Sequence, residues 1–269
     1  WEPSSARVDT ANLTAFQRLL EKQWAVSLPN YHDVHRFSVE EAERFWTSLW
    51  AFTGVIGDRQ TDRVIVDSDK MPGAQFFPDA RLNFAKNLLR REGSTPAIIF
   101  RGEDRVRRVV SWDELQQQVS RLSQYLRAVG IKKGDRCAGF VPNIPEAVVA
   151  MLACAAVGAT WTSCSPDFGI QGVVDRFGQV GPRILFAADG YYYNGKLQDS
   201  LTIISECLCR LPSVEKVLIL LYVSDSPELS VIKGSCDVTC LEEALAPYSS
   251  GPIEFEELPF NHPLYIMYS

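Results

Sequence analysis

The stretch RCAGFVPNIPEAVVAMLACAAVGATWTSC, Arg136–Cys164, decides the fold. Arg136 to Val141 is an apolar run of strand length, and Pro142-Asn143 interrupts it. Pro145 to Val157 is apolar over a length that suits a helix; proline is at home in a first turn, where its missing N–H has no bond to lose. Asn143 is placed to cap that helix. Gly158 is the stop, and Ala159 to Cys164 is a second short apolar run. Both strands are apolar on each face rather than alternating, so they should be parallel neighbours covered from both sides.

The stretch from Ala147 to Pro166 carries no charge and on length alone matches a bilayer span. Gly158 divides it, and Thr160, Thr162, Ser163 and Ser165 are too polar for a lipid-facing half, so a membrane span is excluded.

The pattern continues outward. Arg183 to Ala188 and Lys216 to Tyr222 are two more apolar runs, with helices expected near Gly169 to Val180 and Gly195 to Arg210. Repeated strand and helix predict a parallel sheet between two helical layers. Ligands bind such sheets beyond the carboxyl ends of the strands, which directs attention to Pro142-Asn143, to Ser165-Pro166-Asp167-Phe168 and to Asp189–Lys196. A strand-to-helix turn accounts for much of the second loop, although Pro, Asp and Phe together exceed what a turn requires. In the third, Tyr191, Tyr192 and Tyr193 lie between glycines, and Lys196 is expected at the start of a helix, where phosphate finds free amides. The tyrosines are equally suited to covering the sheet end.

Upstream, Ser38-Val39-Glu40-Glu41 reads as a capping box opening a helix with Ala42, Phe45, Trp46, Leu49 and Trp50 on one face and Gly54 as its stop. Residues 1–70 are therefore expected to form a helical N-terminal extension. Ala97 to Val110 reads as two strands around a Gly102-Glu103-Asp104 turn, and Ser111-Trp112-Asp113-Glu114 is a second capping box before a helix with Leu115, Val119, Leu122 and Leu126 on its apolar face. At the other end Pro263 opens the apolar run Leu264 to Tyr268, the pattern of a strand covered on both faces, after which more structure is expected.

With 269 residues, 46% of them hydrophobic, the chain can bury a sizeable core. A net charge of −6 argues against sequence-independent nucleic-acid binding, which needs clustered cations. The one dense basic stretch, Arg101 to Arg108, is broken by Glu103 and Asp104 and reads as a solvated hairpin. Seven cysteines, an odd number, make no disulfide framework; Cys137, Cys154 and Cys164 lie in apolar runs, which favours a reducing compartment, and no zinc-type spacing suggests a structural metal. No G-x-G-x-x-G follows the first parallel strand, so a nicotinamide enzyme lacks support.

Several stretches carry a family resemblance: FSVEEAERFW (Phe37–Trp46), RLNFAKNLL (Arg81–Leu89), GIKKGDRCAGFVPNIPEAVVAMLACAAVGA (Gly130–Ala159), SPDFGIQGVVDRFGQVGP (Ser165–Pro182), DGYYYNGK (Asp189–Lys196) and HPLYIMYS (His262–Ser269). Together they resemble the N-terminal part of the acyl-adenylate-forming enzymes, specifically the acetyl-CoA and acetoacetyl-CoA synthetases, and the Ser165 and Asp189 stretches look like the acetoacetate-specific branch. The resemblance implies an α/β fold: the first half of a large adenylate-forming domain over residues 71–269, mainly parallel sheet, with an incomplete second sheet made of the Ala97–Val110 hairpin and the final strand. It implies an acid–thiol ligase that joins acetoacetate to CoA through an acyl adenylate, with ATP, CoA and Mg²⁺ as small-molecule partners, in the cytosol, without nucleic acid or membrane.

The resemblance also implies roles for residues. Tyr193, Asn194, Gly195 and Lys196 match positions that contact the CoA nucleotide; the acetyl-CoA branch has arginine at both ends, whereas Lys196 keeps only a point charge and Tyr193 offers stacking or one hydrogen bond. CoA contact is implied at Ser165, Pro166, Asp167 and Phe168 too. Ser269 matches the first residue of the loop that holds the ATP phosphates, so the catalytic groups are expected downstream and residues 1–269 alone are expected to be an inactive fragment. A ligase for another short acyl acid, or a short non-catalytic interaction module, are the alternatives.

Overall fold

The computed structural model describes residues 1–103 and 106–268, which divide into two compact units: Trp1–Arg81 with Pro259–Asn261, and Leu82–Leu258 with the residues from His262 on.

The first unit is mainly helical, with helices Asn12–Trp24, Tyr31–Glu40 and Ala42–Thr53. The last has two apolar sides. Phe45, Leu49 and Phe52 pack against the cluster of Phe16, Leu20, Val34 and Phe37, while Trp46 and Trp50 pack against Val64, Phe77 and Ala80. Gly54 ends it in the left-handed conformation, as expected. Its predicted opening is wrong: Ser38 lies inside the preceding helix and donates to His35 O at 2.6 Å. The cap belongs upstream to Asn30, which accepts from Asp33 N–H, and the break falls at Glu41, which gives no side-chain cap. A serine followed by glutamates marks a helix start only when no cap precedes it.

The second unit is built on a six-stranded sheet. Its strands are β1 (Arg136–Phe140), β2 (Thr160–Cys164), β3 (Ile184–Ala188), β4 (Lys216–Leu220), β5 (Asp237–Cys240) and β6 (Tyr265–Ile266). They lie in the order β5-β4-β3-β1-β2-β6, and every neighbouring pair is parallel. Besides the short helix Phe84–Leu88, the α-helices of this unit are α1 (Trp112–Ala128), α2 (Pro145–Ala156), α3 (Ile170–Val180), α4 (Leu201–Leu208) and α5 (Leu241–Leu245).

Side chains alternate along each strand, so an all-apolar strand feeds two cores at once. Cys137, Ile184, Phe186 and Leu218 face α1, α2 and α5, where Leu122, Leu126, Val149, Leu152 and Leu241 are buried. Ala138, Phe140, Leu185, Ala187, Val217 and Ile219 meet Val173, Phe177, Ile204 and Leu208 of α3 and α4 on the other face. Each such large side chain withdrawn from water contributes about 1.5–3 kcal/mol.

Local signals set most boundaries. Gly158, with φ 78°, stops α2, and Ser111 with Glu114 forms the expected capping box at the start of α1. Asn143 does not cap α2: it is exposed, Ile144 holds that position without a side-chain bond, and Ile144 N–H folds back onto Pro142 O at 2.8 Å. Within RLNFAKNLL, Asn83 is buried and satisfied at both ends: its amide donates to Ala155 O and Glu256 O, and its oxygen accepts from Ala85 N–H at the start of the Phe84–Leu88 helix.

The predicted hairpin forms as Pro96–Gly102 paired antiparallel with Val106–Ser111; of its turn, Asp104 lies outside the described residues. Final-strand placement differs from expectation, since β6 joins the main sheet beside β2 instead of the hairpin. It lies at the sheet edge with one neighbour, so Tyr265 is 39% and Met267 85% exposed rather than covered on both faces. Among the described residues no helix is long and apolar enough to cross a membrane.

Candidate functional site

From β1 the chain passes to β2 on one side and then crosses to β3 on the other, so the order in which strands are added reverses between β1 and β3. At such a point the loops leaving the carboxyl ends part to opposite faces and leave a crevice between them. Val141–Ile144 leaves β1 there, and Asp189 leaves β3.

Asp189 is buried, with its carboxylate on three successive backbone amides of the loop after β4. Oδ1 accepts from Tyr222 N–H at 2.9 Å and Val223 N–H at 3.1 Å, and Oδ2 from Ser224 N–H at 2.8 Å. The two loops are thereby tied together. Gly190 follows because there is no room for a side chain: a Cβ would lie 2.6 Å from Gln198 O and 2.8 Å from Val223 Cγ2.

Beyond it the structure departs from the predicted helix. Gly190–Tyr193 pairs antiparallel with Lys196–Asp199 in a hairpin, and the helix starts only at Leu201. Asn194 and Gly195 form the two-residue loop with φ 50° and 71°, the type I′ geometry for which Asn-Gly is the favoured pair. Lys196 therefore sits opposite Tyr193 in a strand rather than at a helix N-terminus. The amides at that terminus are already taken, since Asp199 accepts from Leu201 N–H at 3.1 Å and Thr202 N–H at 3.2 Å.

Within the hairpin, Tyr192 meets Tyr222 edge-on at 5.8 Å while Tyr193 is 66% exposed. Burial, and then the negative charge of Asp167, raise the pKa of the Tyr191 phenol. Asp167 is thus near Tyr191, which brings the two predicted loops to one region of the sheet end.

Ser165–Phe168 is a turn closed by Phe168 N–H on Ser165 O at 3.2 Å, with Asp167 exposed. The Phe168 ring carries the Arg176 guanidinium 4.2 Å from its centroid, and Tyr268 lies 5.6 Å from the same cation. These residues border a cleft of about 480 Å³ that Met151, Trp161 and Cys164 also line. Tyr268 is anchored there by a 2.8 Å hydrogen bond to Thr162 Oγ1. Ser269 lies outside the described residues.

Sequence reasoning missed Glu103. Its Oε1 accepts from Asn194 N–H at 2.9 Å and its Oε2 from Gly195 N–H at 3.0 Å, so a carboxylate sits on the very turn singled out for phosphate. The Asn-Gly dipeptide was the available signal for the turn; the partner 91 residues away had none. In the basic stretch near Glu103, Arg108 forms a two-pronged pair with Glu146 and covers the Phe100 ring. Among the described residues no group of three or more His, Cys, Asp and Glu side chains could hold a metal ion, and all seven cysteines are free thiols.

Residues 84–269 match the AMP-binding enzyme family, and residues 31–88 match the acetyl-coenzyme A synthetase N-terminus family. An acetoacetyl-coenzyme A synthetase of Rhizobium meliloti is 45% identical over the whole chain, and one of Mus musculus 38%. The chain spans only 41% and 40% of those relatives. Among solved structures, acetoacetyl-CoA synthetase from Streptomyces lividans superposes on the whole chain with a TM-score of 0.91 at 38% identity, the match taking up 41% of that chain.

Proposed function

Since the chain belongs to the AMP-binding enzyme family, we propose that it supplies the CoA-binding side of an acetoacetate–CoA ligase. In that reaction the acetoacetate carboxylate attacks the α-phosphorus of ATP and releases pyrophosphate; the CoA thiol then attacks the acyl carbon and AMP leaves. What carries the reading is likeness to acetoacetyl-CoA synthetases along the full chain, at an identity that goes well beyond shared fold.

The residues have distinct parts in it. The Asn194 and Gly195 amides and the Lys196 ammonium receive a phosphate of the CoA nucleotide, because outward-facing amides and a cation are what a phosphate dianion needs. Tyr193, exposed beside them, offers a face for the adenine. Asp189 orients this hairpin through its amide contacts without touching substrate. Ser165, Pro166, Asp167 and Phe168 border the path of the pantetheine arm. Mg²⁺ acts with ATP and is assigned to none of these side chains. The free thiols suit the cytosol.

Residues 1–269 contain no Ser/Thr- and Gly-rich loop ending in Pro-Lys, so on their own they are proposed not to adenylate. AMP release by the full-length ligase, measured with acetoacetate and with acetate, tests the assignment; a strong preference for acetate would move it to the sister branch. ATP–pyrophosphate exchange by residues 1–269 alone would overturn the second statement.

A further inference from the structure

Glu103 occupies the Asn194–Gly195 turn as an anion would. Both central amides point outward, and each meets one carboxylate oxygen, at 2.9 and 3.0 Å. The hairpin that carries Glu103 is held in place on its neighbours. A Cβ on Gly102 would lie 2.4 Å from Tyr222 Oη, so a side chain there would push the Tyr222 phenol aside. Phe100 and Tyr192 both meet the Tyr222 ring edge-on, at 6.0 and 5.8 Å, which joins the two hairpins through one side chain. Glu103 itself has φ 40°, a conformation that costs an L residue energy and that its contacts must offset.

We propose that Glu103 is a displaceable internal anion that sets the affinity of the Asn194–Gly195 turn for a phosphate group, which in the reading above is a phosphate of CoA. The inference rests on that reading for the identity of the ligand but not for the competition. A phosphate and the Glu103 carboxylate need the same two N–H groups, so the turn accepts phosphate only in molecules whose Glu103 has swung away. Apparent affinity is the intrinsic affinity reduced by that fraction. Like-charge repulsion acts in the same direction. Because Glu103 is exposed, its release needs only a side-chain rotation and no opening of the core.

The test is a titration of the ¹⁵N-labelled chain with inorganic phosphate, following the Asn194 and Gly195 amides in wild type, Glu103→Gln and Glu103→Ala. The midpoint is expected to fall about fivefold in Glu103→Ala, as the occluding group is lost. Glu103→Gln should lie between, since its amide oxygen still accepts from one N–H. Equal midpoints in wild type and both variants, at unchanged unfolding temperature, would overturn the proposal. So would phosphate shifts confined to other amides. Repeating the titration with CoA separates the two claims: a phosphate gain without any CoA response keeps Glu103 as the competitor and removes CoA as the ligand. A CoA response equal in wild type and Glu103→Ala removes Glu103 from its role.

Discussion

Replacing Asp189 with asparagine keeps its shape and removes its charge at a buried position with four short carboxylate–amide contacts, 2.8–3.3 Å long. One asparagine oxygen can still accept from Tyr222 and Val223, but the amide nitrogen then faces the Ser224 N–H, donor against donor. The lost bond is charge-assisted and worth about 1.5–3 kcal/mol, and the remaining ones weaken to neutral strength. Ser224 is exposed, so water recovers part of the loss. The expected cost is about 2–4 kcal/mol, a large part of a total stability of about 5–15 kcal/mol. Asp189→Ala should cost about 3–5 kcal/mol, because three amides lose their acceptor together. Guanidinium unfolding gives the global value as a shift in midpoint at constant slope. Hydrogen exchange gives the local one, with the amides of Tyr222, Val223 and Ser224 exchanging faster than the strand β4 that precedes them. If Asp189→Asn costs less than about 0.5 kcal/mol, within the range of ordinary surface substitutions, the loop is held by something other than this carboxylate and the positioning argument fails.

Further outcomes follow from the same structure. Gly190→Ala places a methyl 2.6 Å from Gln198 O and should destabilise the hairpin by about 1–3 kcal/mol, read as a lower unfolding temperature; no change would mean that the strands can part at no cost. Arg183 joins Gly130 O, Asp135 and Glu215 at the amino ends of β1, β3 and β4, and its hydrogen bond to Glu215 holds that carboxyl below its usual 4.5. A depressed carboxylate contributes stability above its unfolded pKa and loses it as pH falls through the folded value. Arg183→Met should thus cost about 1 kcal/mol near neutral pH, the exposed Glu215 limiting its share, and the gap to wild type should narrow below pH 4.5 in unfolding experiments. Burial pushes the Cys164 and Cys207 thiols up to about 11, so at pH 8 a maleimide should modify exposed Cys209 before either, as peptide mass mapping would show.

Local chemistry explains where the reading succeeded and where it failed. Gly158, the Ser111–Glu114 box and Pro145 act through their immediate neighbours, so the elements they bound could be read residue by residue. Ser38 failed because its capping pattern competes with Asn30 upstream, and nothing in the pattern itself says which cap is used. At Gly195 the error was to extend a helix over Lys196–Asp199 when Asn194-Gly195 already carried the hairpin signal. Of the candidate site, the run of three tyrosines and the Ser165 turn stood out in the sequence; the pairing of the tyrosines into a hairpin, Glu103, Arg176 and the amide-binding role of Asp189 did not.

The sequence by itself determined a parallel sheet between two helical layers, because strands that are apolar on both faces have no other way to leave water. It also directed attention to the loops at the carboxyl ends of those strands, where parallel sheets take their ligands. Tertiary structure alone decided that β6 pairs with β2, that the Asp189 carboxylate closes on the loop after β4, and that Glu103 reaches a turn 91 residues away. Apolar periodicity and caps are properties of neighbours along the chain and repeat often enough to be read. A hydrogen bond between distant segments leaves no period behind, and only the packed fold brings its two ends together.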